Sequence, residues 1–170
     1  MALLPWHESF SIGVRALDDD HRHWVDILNQ LHDARVKGQD RAFIDKSIDD
    51  LFSHMRQHFQ REEGVMSQAG YPGFAHHKEM HDHSLAEMKS LVDRHKTYGD
   101  KVDPKHILEF VKSFFVNHVT SEDLRMREFF REKGIADMPM NARQLGHLRL
   151  GMLDKFYGLF DAVTVRTRIM

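Results

Sequence analysis

An all-α fold, an up-down-up-down four-helix bundle followed by a fifth helix at the C-terminus, is what this sequence predicts. Three observations predict it. Apolar residues recur at steps of three and four through four long segments. Short connections carrying glycine or proline separate those segments. Strand-type alternation is absent. Long helices joined by short connections pack as antiparallel neighbours. At 170 residues and 41% hydrophobic, the chain is sized for one domain with an ordinary core.

The elements follow in order. The first 17 residues read as an irregular arm, with Trp6 and Phe10 as anchors onto the bundle. Asp18, Asp19 and Asp20 supply an N-cap and dipole-compatible charge for the first helix. Its apolar positions are Trp24, Ile27, Leu28 and Leu31, and Gly38 ends it. The second helix starts near Asp40 and carries a buried stripe of Phe43, Ile44, Ile48, Leu51, Phe52, Met55, Phe59 and Met66. Gly70 and Pro72 stop it. The third runs from about Gly73 to His95 and is closed by Gly99. The fourth opens with Asp103 as N-cap and Pro104 at the first helical position, where a missing N–H costs nothing. It continues through Phe110, Val111, Phe114, Phe115, His118 and Val119 to about Arg131.

The tail differs. Beyond Met138-Pro139-Met140, the residues Leu145, Leu148, Met152, Phe156, Leu159 and Val163 mark one apolar face of a fifth helix. Gly146, Gly151 and Gly158 weaken it by about 1 kcal/mol each against alanine. The expected division is a domain over residues 1–133 and a helical extension over 134–170. The expected role of the tail helix is packing on its own bundle, or else a homodimer or partner interface through the Leu145–Val163 face.

A formal charge of -2 gives no strong field for nucleic acid or an anionic membrane. The absence of cysteine excludes disulfides, thiolate metal sites and a cysteine nucleophile. The start MALLPWHESF lacks a basic segment followed by an apolar run, and no stretch of about 18 apolar residues occurs. A cytoplasmic protein with no membrane partner is the expectation. Fourteen histidines are the anomaly, and they point to metal.

Seven residues stand in an ordered pattern, H … HxxxE … HxxxH … HxxxxD: His21, His58 with Glu62, His77 with His81, and His118 with Asp123. One HxxxH pair is weak evidence, because about one is expected by chance at this histidine content. Specificity comes from the whole set, with one ligand group on each of four helices. Residues four apart lie about 6 Å apart along one helix face, so His77 and His81 can converge on one ion. His118 and Asp123 are five apart, a turn of about 140°. Either Asp123 reaches sideways, or the helix widens locally as in a π-bulge. His7, His32, His54, His95, His106 and His147 read as surface or satisfied core residues. His23 and His83 point away from the ligand positions beside them, and His76 lies off the His77 direction. A ferritin-like arrangement needs two ExxH motifs, and none stands at suitable positions.

The ordered set resembles the signature of the hemerythrin family, in its bacterial form. Trp6, Gly13, Leu17-Asp18, the run HFQREE at 58–63, GYPGF at 70–74 and HKEMH at 77–81 carry the resemblance across about residues 6–131. The resemblance implies a non-haem centre of two iron ions bridged by an oxo or hydroxo group, with O2 as ligand. It assigns His77, His81 and His118 to one iron. His21 and His58 go to the other, which keeps an open position, and Glu62 and Asp123 serve as bridges. Imidazole and carboxylate suit iron without sulfur; zinc or manganese takes similar ligands, so the choice of iron comes from the resemblance. The implied function is reversible O2 binding, not enzymatic, for storage, delivery or sensing. The alternative is a di-iron oxidoreductase acting on peroxide, nitric oxide or ferrous iron. One departure stands out. Hemerythrins commonly carry a tryptophan and then an aliphatic residue lining the O2 pocket, where this chain has Phe114 and Phe115.

Overall fold

In the computed structural model, residues 2–101 and 103–135 are described. The expected tail helix from Asn141 lies outside them. The regular elements among the described residues are all helical, with no strand. A 3-10 turn, Glu8–Phe10, precedes α1 (Arg15–Val36), α2 (Arg41–Ala69) and α3 (Phe74–Tyr98). A second 3-10 turn, Gly99–Lys101, leads to α4 (Lys105–His118), a π-helical turn (Val119–Asp123) and α5 (Leu124–Glu132). Each helix packs on the next, and α4 closes the ring against α1. This is the up-down-up-down bundle, with α4, the π turn and α5 together forming its fourth column. Among the described residues no helix is long and apolar enough to cross a membrane.

The start of α1 corrects the sequence reading. The helix begins at Arg15, three residues before the aspartates, with Val14 as a cap residue that gives no side-chain hydrogen bond. Asp18 instead folds the arm back over the first turn. Its carboxylate accepts from the Ile12 and Gly13 main-chain N–H groups at 2.7 and 3.2 Å and from the Ser11 hydroxyl at 2.7 Å. Gly13 takes φ 79°, a left-handed conformation that strains any residue with a Cβ. The arm is pinned again where Asn29 exchanges two hydrogen bonds with the Leu4 main chain, at 2.9 and 2.8 Å. Phe10 and Ile12 are thereby buried.

The other boundaries have local causes. Asp40 caps α2 by accepting from the Phe43 N–H. At the far end Gly70 adopts φ 66°, so that the Tyr71 N–H reaches back to the Met66 carbonyl, which is a Schellman closure. Phe43 was expected in the buried stripe; it sits in the first turn of α2 and is 49% exposed. Ile44, Ile48, Leu51, Met55 and Phe59 are buried as expected. Along α1 and α2 the main apolar core, from Trp24 to Ala34 and from Ile44 to Phe59, lies on one side of the histidine level. Leu17, Val65 and Met66 lie on the other.

Asp103 caps the fourth column, accepting from the Lys105 N–H at 2.9 Å. It also receives the Arg35 guanidinium in a fork, at 2.7 and 2.6 Å. That hydrogen-bonded guanidinium holds the Asp103 carboxyl well below the usual carboxylate range, against the opposing effect of burial. Asp103→Ala is therefore expected to cost about 1 kcal/mol for the cap, plus up to about 1 kcal/mol for a partly exposed, salt-sensitive pair. A carboxyl depressed in the folded state stabilises the fold fully above its unfolded value near pH 4. That contribution fades as pH falls towards the lower folded value. Denaturant titrations should thus show a gap between wild type and variant at pH 7 that narrows in acid; a constant gap contradicts this account.

Candidate metal centre

All seven residues of the ordered pattern are buried and meet in one layer across the bundle. They form two groups of metal-ligand type. Glu62, His77, His81 and His118 make one; His21, His58, Glu62 and Asp123 make the other. Glu62 belongs to both. Asp123 also faces both ways. Its Oδ1 lies 3.1 Å from His118 Nε2 and 3.3 Å from His77 Nε2, while its Oδ2 lies 3.5 Å from His21 Nε2.

The π turn explains how Asp123 arrives there. A turn closed by i→i+5 bonds holds one residue more than an α turn, so His118 and Asp123 come to one face despite their five-residue spacing. The Thr120 and Ser121 hydroxyls each donate to the carbonyl four residues back, at 2.6 Å, in this same turn. Of the two readings that the spacing leaves open, local widening is the one found.

The first group is tight. His118 Nε2 is 3.0 Å from both His77 Nε2 and His81 Nε2, and Glu62 Oε2 lies 3.4 and 3.2 Å from the same two histidines. First-row ions take imidazole and carboxylate ligands at about 2.0–2.2 Å; two such ligands at right angles stand about 3 Å apart. The second group is more open, with His58 Nε2 3.8 Å from Glu62 Oε2. Both oxygens of Glu62 and both of Asp123 are buried without a hydrogen-bond donor, as is His21 Nε2. Such groups are costly to bury unless they are paired or hold a metal. The residues present therefore fit a pair of cations.

Two of the outer ring nitrogens have hydrogen-bond partners. His21 Nδ1–H donates to the Phe10 carbonyl at 2.7 Å, and His81 Nδ1 meets Glu63 Oε1 at 3.1 Å. His58 Nδ1 faces Asp20 Oδ2 at 3.5 Å. The two hydrogen bonds fix the His21 and His81 rings and leave their Nε2 atoms for a metal. Burial, followed by the facing His58, pushes the His21 imidazole down, so it stays neutral in the form that binds metal. For Glu62 burial acts upward, but the His77 and His81 imidazoles outweigh it and hold the carboxyl well below its ordinary value. These contacts are electrostatic rather than well-formed hydrogen bonds, since neither Glu62 oxygen has a donor in hydrogen-bonding geometry. For His81 burial acts downward, and Glu62 and Glu63 overcome it and raise the group.

An aromatic wall lies against the imidazoles. Phe59 stacks on His81 at 3.7 Å and Phe114 on His118 at 4.8 Å. Phe115, fully buried, sets its edge against His21 at 5.6 Å and packs on Phe10 and Trp24. Trp24 also meets His58 at 5.5 Å. Phe115 thus neighbours the more open group, whereas Phe114 neighbours the tighter one.

The remaining histidines divide as expected among the described residues. His23, His76 and His83 are exposed. His54 is buried, and its Nε2 donates to the Asp20 carbonyl at 2.9 Å. Burial pushes it down to about 4. His95 is buried and pairs with Asp45 at 2.7 Å. Sequence reasoning missed Asp20, Arg61 and Glu63, which stand behind the ligand rings. The available signal was adjacency: Asp20 precedes His21, and Arg61 and Glu63 flank Glu62.

Four helices around two histidine–carboxylate groups that share a glutamate define a helical-bundle cation-binding protein. The chain belongs to the hemerythrin family: the family model for the hemerythrin HHE cation binding domain matches residues 12–129. It is similar to the bacteriohemerythrin of Methylococcus capsulatus, with 33% identity over 72% of this chain and 93% of that protein. It is similar to the bacteriohemerythrin of Stenotrophomonas maltophilia as well, with 32% identity over 72% of this chain and 78% of that protein. Among solved structures, a wild-type hemerythrin superposes with a TM-score of 0.69 at 31% identity, covering 75% of this chain and 97% of that one. A leucine-to-alanine variant of a hemerythrin gives 0.70 at 32% identity, covering 76% and 98%.

Proposed function

We propose that this chain binds O2 reversibly at two iron ions. His77, His81 and His118 hold one ion, His21 and His58 hold the other, and Glu62 and Asp123 lie between them. The observation that carries the reading is the pair of buried ligand groups sharing Glu62, whose carboxylate oxygens find no protein donor. Two ferrous ions supply the two electrons that reversible reduction of O2 requires. The chain's own residues do the rest. His21 and His58 would hold the ion with the smaller histidine set, the one to which O2 would have access. Phe115 and Trp24 form the dry wall beside it.

Binding is favoured over turnover by how the nearby acids are held. Asp20 and Glu63 stand behind the His58 and His81 imidazoles and face Arg61 and Lys78. A cation on the outer side holds each of them there. The test is anaerobic loading with ferrous iron, exposure to O2 and removal of the gas. A long-lived visible absorbance band that disappears under argon and returns with O2 is expected. Rapid decay of the band with continuing consumption of O2 or peroxide contradicts reversible binding and indicates an oxidoreductase.

Phe115 is assigned the control of access to the open position. Phe115→Ala leaves a cavity beside His21, admitting water and small anions. Faster autoxidation and tighter azide binding are expected; wild-type values for both would remove Phe115 from this role.

A further inference from the structure

His54, His58 and Arg61 stand at i, i+4 and i+7 on α2, one stripe facing α1. All three meet the same residue there, Asp20. Arg61 Nε and Nη2 each donate to a different carboxylate oxygen of Asp20, both at 2.6 Å. This bidentate pair is short and mostly buried. His54 Nε2 donates to the Asp20 main-chain carbonyl at 2.9 Å, so α2 holds Asp20 by both backbone and side chain. Between these two anchors His58 Nδ1 faces Asp20 Oδ2 at 3.5 Å. That nitrogen is buried and has no hydrogen-bond partner. Protein N–H···O bonds measure about 2.7–3.2 Å, so a shift of a few tenths of an ångström completes the bond.

We infer that Asp20, clamped by Arg61 and His54, is a positioning residue for His58: its carboxylate accepts from Nδ1–H and commits the Nε2 lone pair to the metal position shared with His21. The inference rests on the two-metal reading of the site. The clamp also gives the position a distinct electronic character. His21 is backed by a neutral carbonyl, the Phe10 oxygen. His58 is backed by a carboxylate, and an anionic acceptor makes the imidazole a stronger donor. A stronger donor favours the more highly charged oxidation state. The companion arrangement, His81–Glu63–Lys78, is looser. Lys78 lies 3.6 Å from Glu63 and only 2.6 Å from Asp82, so its charge is shared.

The test is anaerobic titration with ferrous iron and potentiometry of the loaded full chain, for wild type, Asp20→Asn, Arg61→Gln and Arg61→Lys. Asparagine keeps an acceptor for His58 but removes the charge. Asp20→Asn is expected still to take two irons at saturation, with one binding step weakened by about 10–100-fold and the other unchanged. Its midpoint potential should rise, by about 59 mV for each tenfold loss of ferric relative to ferrous affinity. Arg61→Gln, which loosens the clamp but leaves the carboxylate, should weaken the same binding step by less, and it serves where Asp20→Asn does not fold. Arg61→Lys should recover part of the effect. Two irons bound with wild-type affinity and potential in Asp20→Asn, or in Arg61→Gln if that is the variant that folds, overturns the inference alone. A wild-type chain that does not take up two irons overturns the site reading and this inference with it.

Discussion

Replacing Glu62 by alanine is expected to abolish binding of both metal ions, the largest effect of any single substitution in this protein. Glu62 is the one residue present in both ligand groups. It is fully buried, and Oε2 faces His58, His77 and His81 at 3.8, 3.4 and 3.2 Å. Without it the two histidine sets lose their shared anion, and two positive ions are left close together with only Asp123 between them. His58→Ala should be milder, removing the ion at the His21 position and sparing the other. His54→Ala should keep both, because the His54 Nε2 donates to the Asp20 carbonyl instead of entering the cluster. Metal analysis of the three variants separates these cases. Equal metal content in His58→Ala and His54→Ala would show that the wrong histidine of the HxxxH pair at 54 and 58 has been chosen.

Stripping the metal should lower thermal stability sharply. A ligand present at a thousand times its Kd contributes about 4 kcal/mol of stability, so two well-filled positions contribute about 8 kcal/mol. Each kcal/mol moves the Tm of a domain this size by roughly 2–8 °C. A fall of more than about 15 °C on chelation is expected. The expected weakness of the metal-free protein at this level follows from the buried polar atoms of the cluster. Four buried carboxylate oxygens lack donors, and they are packed beside five imidazoles. The main apolar core, built on residues such as Leu28, Leu31, Ile48, Leu51 and Val111, contains none of these ligands. Far-ultraviolet circular dichroism should therefore retain helix at room temperature while the melting midpoint drops. An unchanged midpoint after complete removal of metal would contradict a structural load on the ions.

Much of this was legible in the sequence because helical periodicity and caps are local. Asp40, Gly70 and Asp103 each act within a few residues of where they stand, and each does what its type predicts. That seven polar residues would meet in one buried layer was legible because polar residues at fixed spacing on apolar helix faces are rare. What escaped depends on contacts distant in sequence. Asp18, Asp19 and Asp20 look alike as a run of acid. The structure uses Asp18 to fold back the arm, and Asp20 to meet Arg61, 41 residues away, while Asp19 sits on the surface beside Arg22. No local rule separates the three. Phe43 looked like core by its apolar character, but in the first turn of α2 it is half exposed. The π turn at Val119–Asp123 was readable only as a conflict, a five-residue spacing that a regular helix does not satisfy.

Whether this bundle holds two metal ions is decided by the iron content of the full chain after anaerobic reconstitution with ferrous iron and removal of excess. Two irons per chain are predicted; one iron per chain, or none, would contradict the account.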